Sequence, residues 1–411
     1  MAASTEQGRR IEKNGQPRSS RGAASPCRTF AGASLVFALV ACGEPEPKTP
    51  APPPPTVPVP VQPTTAATTS ATAAPSPPPA PPAETYPAPK PTTIPLSKTG
   101  DAALDAKLAE GDAAFEADDM AKAGAAYEAA KKLAPKRAAP VVGLARVKVS
   151  KASPNLGFAA AEKNADVTAA SKDLKRAAEL EPTFGPAHVE YGRSLLLLGD
   201  AAGAETALKR GVKLLDDNAE AHSALGVALL AAGKADEALA ELTRARDLDP
   251  GSSARRGNLG TVLFMRGKVP EAIREYEAEV AISPQDPHAH SDLGTAYLAQ
   301  NDFTRAILEL RKAVEMDPKR ATYRSNLGYA LQLQGKLADA VAEYKAAIKL
   351  DPKLASAWIN LATALSRDPK TRPEARRALE TAKQLDPTDP RVKANLEELD
   401  ALEKGQTSPG K

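Results

Sequence analysis

The chain repeats itself every 34 residues. Leu-Gly or Tyr-Gly pairs fall at Tyr191-Gly192, Leu225-Gly226, Leu259-Gly260, Leu293-Gly294 and Leu327-Gly328. Prolines keep the same interval at Pro250, Pro284, Pro318 and Pro352, and alanines at Ala204, Ala238, Ala272, Ala306 and Ala340. A fixed period of this length builds a stacked solenoid in which each unit rests on its neighbours. Such a chain lacks the single globular core around one cleft that most enzymes use, so the expectation moves from chemistry to binding.

Residues 219–252 serve as the type unit and read as two helices. The first carries Ala221, Ala224, Leu225, Ala228 and Leu229, an i, i+3, i+4 spacing that makes one apolar stripe. Gly233-Lys234 turns the chain. The second helix repeats the stripe at Ala238, Leu239, Leu242 and Ala245. Asp249-Pro250 ends it, because proline cannot continue a helix and restricts the residue before it. Gly226 and Ala238 are small where the two helices must approach, and a larger side chain would force them apart. One helix pair cannot bury its own apolar face, so pairs stack.

This pattern resembles the tetratricopeptide repeat. In the unit starting at Ala321 the family's positions are filled by Arg324, Leu327, Gly328, Leu331, Ala340, Tyr344, Ala347 and Pro352. In the next unit the first large residue is Trp358, the chain's only tryptophan. The resemblance implies an all-α superhelix of about eight helix pairs. The first pair spans 104–137, with Gly111, Ala123, Tyr127, Ala130 and Pro135 in phase. The second is stretched by about thirteen residues around 153–157, read as a loop or as lengthened helices, and the last carries a one-residue insertion near Asp368-Pro369. A charged amphipathic helix over 391–404 suits a solvating cap. The expected organisation is a leader over 1–42, a proline-rich stretch over 43–100, the superhelix over 101–390, the cap over 391–404 and a tail over 405–411.

The front end reads as an address. Six Lys/Arg precede the apolar run at 31–41, which is too short for a permanent span. The run ends in Leu39-Val40-Ala41-Cys42, which resembles the lipobox of bacterial lipoproteins; a plain secretory signal is the other reading. The resemblance implies lipidation of Cys42 and a lipid-anchored chain in the cell envelope, where several acyl chains anchor stably and one would be marginal. Gly43 in place of an aspartate implies the outer membrane facing the periplasm, with the cell surface as the alternative. Residues 44–97 hold about half of the chain's 38 prolines. That composition cannot bury a core and reads as a disordered, stiff spacer, reaching on the order of 170 Å when fully extended.

Composition narrows the function classes. The formal net charge is +3. The leader's six Lys/Arg and two Glu account for +4, which leaves about −1 for the remainder. That balance argues against nucleic acid, which needs a concentrated basic face. Cys27 and Cys42 are the only cysteines; the first leaves with the leader and the second would be lipidated, so the repeats offer neither a disulfide nor a thiol nucleophile. The Gly-Lys pairs at Gly233-Lys234, Gly267-Lys268 and Gly335-Lys336 lack the upstream glycine, the following Ser/Thr and the preceding strand of a phosphate loop; they read as inter-helix turns. His188, His222 and His290 share the position of Trp358 and are expected to pack between helices in place of an aromatic. His288 and His290 supply at most two ligands, too few for a metal site. No catalytic residue, cofactor or metal is expected.

The sharpest constellation lies on the first helices. Asn258, Asp292, Asn326 and Asn360 recur every 34 residues, and three residues after each come Thr261, Thr295, Tyr329 and Thr363. Spacing of i, i+3 puts both rows on one helix face. The resemblance implies that this face lines a concave groove whose asparagines hydrogen-bond an extended peptide. An amide donates and accepts at once, so it suits a peptide backbone whatever its side chains. The same rows also suit local hydrogen bonding within the array. The expected function is a scaffold that binds a protein or extended peptide and aids assembly of an envelope machine. The alternatives are a passive cell-wall spacer and a regulatory partner of an envelope enzyme.

Overall fold

The computed structural model describes residues 86–88, 93–152, 161 and 164–404. The leader, Cys42 and the proline-rich stretch up to residue 85 lie outside the described residues, as do 153–160 within the second unit and the tail from 405.

Among the described residues there are seventeen helices and no strand. They pair as α1 (Ala102–Glu116) with α2 (Met120–Leu133), α3 (Ala138–Ala152) with α4 (Ala165–Leu180), α5 (Gly185–Leu197) with α6 (Ala201–Leu214) and α7 (Ala219–Ala231) with α8 (Ala235–Leu248). The array continues as α9 (Ser253–Met265) with α10 (Val269–Ile282), α11 (Pro287–Ala299) with α12 (Phe303–Met316), α13 (Ala321–Leu333) with α14 (Leu337–Leu350) and α15 (Ala355–Leu365) with α16 (Arg372–Leu385), closed by α17 (Pro390–Glu403). None is long and apolar enough to cross a membrane.

Local chemistry sets the helix ends. Asp101, Asp119, Asn164, Asp200, Asn218, Asp286, Asp302 and Asp389 cap N-termini by accepting from backbone amides of the first turn. At the turn inside six of the pairs the chain enters the left-handed region, among them at Gly233 (φ 73°), Gly267 (φ 72°) and Gly335 (φ 86°). The Gly233 amide donates to the Leu230 carbonyl and the Lys234 amide to that of Leu229, which satisfies carbonyls left over at the end of α7. The Gly-Lys pairs are therefore turns.

Packing within a pair depends on one missing Cβ. A methyl group at Gly226 would lie 2.5 Å from Leu242 Cγ, and one at Gly328 would lie 2.7 Å from Tyr344 Cε1 and 3.2 Å from the Ala340 carbonyl. The buried Leu or Tyr of the second helix thus lies against bare backbone of the first. The apolar core runs as a ribbon along the array: one cluster joins the first three pairs, another runs from the third to the sixth, and a third reaches the last pair and α17. Successive first helices also touch one another, and no two second helices make a comparable contact. The array therefore bends with its first helices on the inner face.

Candidate peptide-binding groove

The inner face has two halves of different character. In the C-terminal half, Asn326, Tyr329 and Gln332 of α13, Ile359, Asn360 and Thr363 of α15, and Arg391 and Asn395 of α17 line an open concavity of ≈ 420 Å³. Asn326 and Asn360 are half-buried, and neither side chain is bonded to another described residue. Tyr329 is 43% exposed. The Asn395 amide donates to Thr363 Oγ1 at 3.1 Å. Arg391 is already paired with Asp389 at 2.6 Å, and its hydrogen bonds hold that carboxyl below its usual range. The concavity therefore presents amides, one aromatic face and one neutralised cation. That mixture suits an uncharged backbone better than a point charge.

The other rungs of the ladder lie deeper. Asn258 is 6% exposed and Asp292 4%. The Asp292 carboxylate faces His288 Nδ1 at 3.2 Å. Thr261, Thr295 and Thr363 each donate a hydroxyl proton to the carbonyl four residues earlier, on Gly257, Ser291 and Ile359. That is a common use of threonine inside a helix, and it leaves their lone pairs as acceptors. Tyr276 Oη donates to Thr261 at 3.2 Å.

In the N-terminal half the threonine row continues in a charged form. Asp112, Arg146 and Arg193 hold its positions on α1, α3 and α5, once the thirteen extra residues are allowed for. Arg146 is 3.5 Å from Asp112 and 2.7 Å from Glu190. Arg193 is 3.8 Å from Glu190 and 3.2 Å from Glu220, and Arg255 is 3.3 Å from Glu220 and 2.6 Å from Asp249. Acid and base thus alternate across five first helices. Burial raises the Glu190 carboxyl, but the charges of Arg146 and Arg193, with the Arg146 hydrogen bond, outweigh it and leave it low; at Glu220 burial, helped by the neighbouring Glu190 charge, wins over Arg193 and Arg255 and the carboxyl is raised.

This half is occupied by the chain itself. Arg146 Nη2 donates to the Ile94 carbonyl at 2.8 Å, and the Leu96 amide donates to Asp112 Oδ2 at 2.7 Å. Ile94 and Leu96 are buried and Pro95 between them is exposed, the alternation of an extended segment. Further along the array, the Arg256 guanidinium lies 4.7 Å from the centre of the Tyr86 ring.

The family described as tetratricopeptide repeat matches residues 192–253, 223–287, 291–355 and 334–390. This is a tetratricopeptide-repeat protein. Among solved structures the chain is similar to the APC/C hetero-tetramer Cut9–Hcn1, at 16% identity and a TM-score of 0.55 over 74% of this chain and 57% of that one. It therefore spans little more than half of that relative. It is also similar to PilF of Pseudomonas aeruginosa (17% identity, TM-score 0.45, 52% of this chain and 97% of that one). YrrB, described as having an unusual peptide-binding site, matches at 20% identity and a TM-score of 0.38, over 47% of this chain and 99% of that one. No curated protein matches. The first of these likenesses shows the fold alone.

One feature of this tetratricopeptide array adds to the expectation for its histidines. His222 and His290 are buried at the Trp358 position as expected of a substitute for the aromatic, and what that expectation left out is that they also act as N–H donors. The side chain at the Trp358 position reaches back six residues to the carbonyl at the end of the preceding unit: His188 to Pro182, His222 to Asp216, Arg256 to Pro250, His290 to Pro284, Arg324 to Pro318 and Trp358 to Pro352. His222, Arg256, His290 and Arg324 also meet a carboxylate nineteen residues on, at Glu241, Glu275, Glu309 and Glu343. The signal was present in the sequence: His, Arg and Trp share a planar N–H, and a glutamate follows at constant distance. Among the described residues no group of three or more His, Cys, Asp or Glu is placed to hold a metal.

Proposed function

We propose that this protein is a lipid-anchored scaffold that holds an extended segment of another protein in the open half of its groove, and so aids assembly of a machine of the bacterial envelope. The supporting observation is the pair Asn326 and Asn360, half-buried and with side chains bonded to no other described residue, facing an open concavity beside Asn395 and Tyr329. An extended backbone laid there would meet a donor and an acceptor at each rung. Asn258 and Asp292 play a lesser part in this reading, because they are nearly covered. The envelope location, with the chain held at the outer membrane and facing the periplasm, rests on the leader and on Cys42 as its lipidation site.

The test compares what the intact chain and an Asn326→Ala/Asn360→Ala variant retain from envelope extract, after circular dichroism has shown the variant folded. A partner held by the first and lost by the second supports the groove reading. Equal retention by both moves binding elsewhere, and retention by neither favours the spacer. Fractionation of a Cys42→Ala variant tests the anchor separately: a chain that stays with the membrane overturns it.

A further inference from the structure

We infer that the N-terminal half of the inner face is a second binding site, for an extended apolar-Pro-apolar segment, and that Ile94-Pro95-Leu96 is its resident occupant. The site is distinct from the open concavity and has its own chemistry. Leu96 is fully buried in a cluster that includes Leu104, Leu108 and Tyr127. Ile94 is buried in the neighbouring cluster. Each side chain thus has an apolar socket, and the two sockets lie two residues apart along an extended chain.

The polar groups between the sockets read backbone. Asp112 accepts the Leu96 amide and Arg146 donates to the Ile94 carbonyl. Pro95, the residue between them, has no N–H to satisfy and faces outward. A segment with apolar first and third residues and proline at the second therefore loses nothing at its middle position. Asp112 and Arg146 are themselves fixed by Tyr127, whose hydroxyl donates to Asp112 at 2.7 Å, and by Glu190. The reading groups are preorganised by the array and do not depend on the segment's covalent connection.

The resident does not fill the site completely. Arg146 Nη1 is buried, and among the described residues its acceptor is the Asp112 carboxylate at 3.5 Å, longer than an ordinary hydrogen bond. A buried donor held at that length is incompletely satisfied, so a ligand that brings one more acceptor would hold this site better than residues 94–96 do. Competition is governed by proximity. A segment tethered this closely acts at an effective concentration on the order of mM, and an incoming ligand meets only the fraction of sites it leaves free.

The experiment uses the full chain and a labelled peptide of its own residues 91–100. The intact chain is compared with an Ile94→Asp/Leu96→Asp variant whose folding is checked by circular dichroism and cooperative unfolding. An Ile94→Ala/Leu96→Ala variant stands in if the charged pair does not fold. The expected result is that the peptide binds the variant about ten-fold or more tightly than the intact chain, while a peptide with Asp in place of Leu96 binds neither. A folded variant that takes up no peptide overturns the proposal, as does equal affinity for both chains. If neither variant folds, the segment is a permanent part of the fold and the proposal fails.

Discussion

The indole N–H of Trp358 donates to the Pro352 carbonyl at 2.9 Å, and His290 Nε2 meets the Pro284 carbonyl at 3.1 Å from the equivalent place two units earlier. The two bonds are alike in geometry and differ in what else depends on them. Trp358→Phe keeps the ring and removes one donor from a carbonyl near solvent, so it should cost about 0.5–1.5 kcal/mol. His290→Phe removes the same donor and also strips Glu309, held at 2.5 Å on the other ring nitrogen, of its buried partner. Urea unfolding should rank His290→Phe as the costlier change. The reverse order would mean that aromatic packing dominates at this position.

Gly328 and Gly335 are both required, for different reasons. Gly328→Ala places a methyl group 2.7 Å from Tyr344 Cε1 and should cost about 1–3 kcal/mol through overpacking. Gly335→Ala meets no atom within 4 Å but puts a Cβ on a residue at φ 86°, at a cost of about 1–2 kcal/mol. Asparagine separates the two causes. Asn301 occupies the corresponding turn of the preceding pair at φ 61°, so Gly335→Asn should recover part of the loss measured for Gly335→Ala. Gly328→Asn should be worse than Gly328→Ala.

His288 gives stability a pH dependence of definite sign. Burial would lower its pKa, but the charge of Asp292, 3.2 Å away, with help from Glu279 and Asp286, outweighs burial and pushes it up to about 9. A group raised on folding stabilises the fold fully below its unfolded value, near 6.5, and loses that contribution as pH rises through its folded value. The denaturation midpoint should therefore fall between about pH 6.5 and 9, and His288→Gln should flatten the profile in that window. His222 and His290 are raised as well, so some slope should survive the single substitution. A profile unchanged by His288→Gln would sink the argument.

Much of this molecule was legible in its period. Gly226 against Leu242, the Gly-Lys turns and the helix-ending Asp-Pro pairs all follow from local rules that recur in phase. The rows from Asn258 to Asn360 and from Thr261 to Thr363 were legible as positions, but their exposure was not. Whether a rung is open depends on what crosses the face from elsewhere, and one 34-residue unit carries no record of that. The cap shows the same limit. Its sequence reads as a solvating helix, yet Arg391 and Asn395 line the open concavity because α17 packs against both α15 and α16. Asp112 and Arg146 stand 34 residues apart with opposite charge, a signal that could have been found by following the threonine row toward the N-terminus. The segment that they hold lies in the stretch read as spacer, where composition gave no reason to expect burial.

Arg146 joins the groove to the stability of the array. It is paired with Glu190 and Asp112, and all three are nearly inaccessible. Burial already raises Asp112 against the pull of Arg146. Removing the cation alone, as Arg146→Met, leaves the buried Asp112 without its cation and Glu190 with only Arg193, at 3.8 Å, and should cost about 3–5 kcal/mol. Removing cation and carboxylate together, as Arg146→Met/Glu190→Met, deletes the charges as well as the attraction between them, so the double variant should be more stable than the sum of the two single changes predicts. Arg193 keeps Glu220 as a partner in that background, which stops the disturbance from passing along the file. A double-mutant cycle followed by urea unfolding measures the coupling. Strict additivity would show that this row of charges is solvated in practice, and that its geometry on the inner face contributes little to holding the first three pairs together.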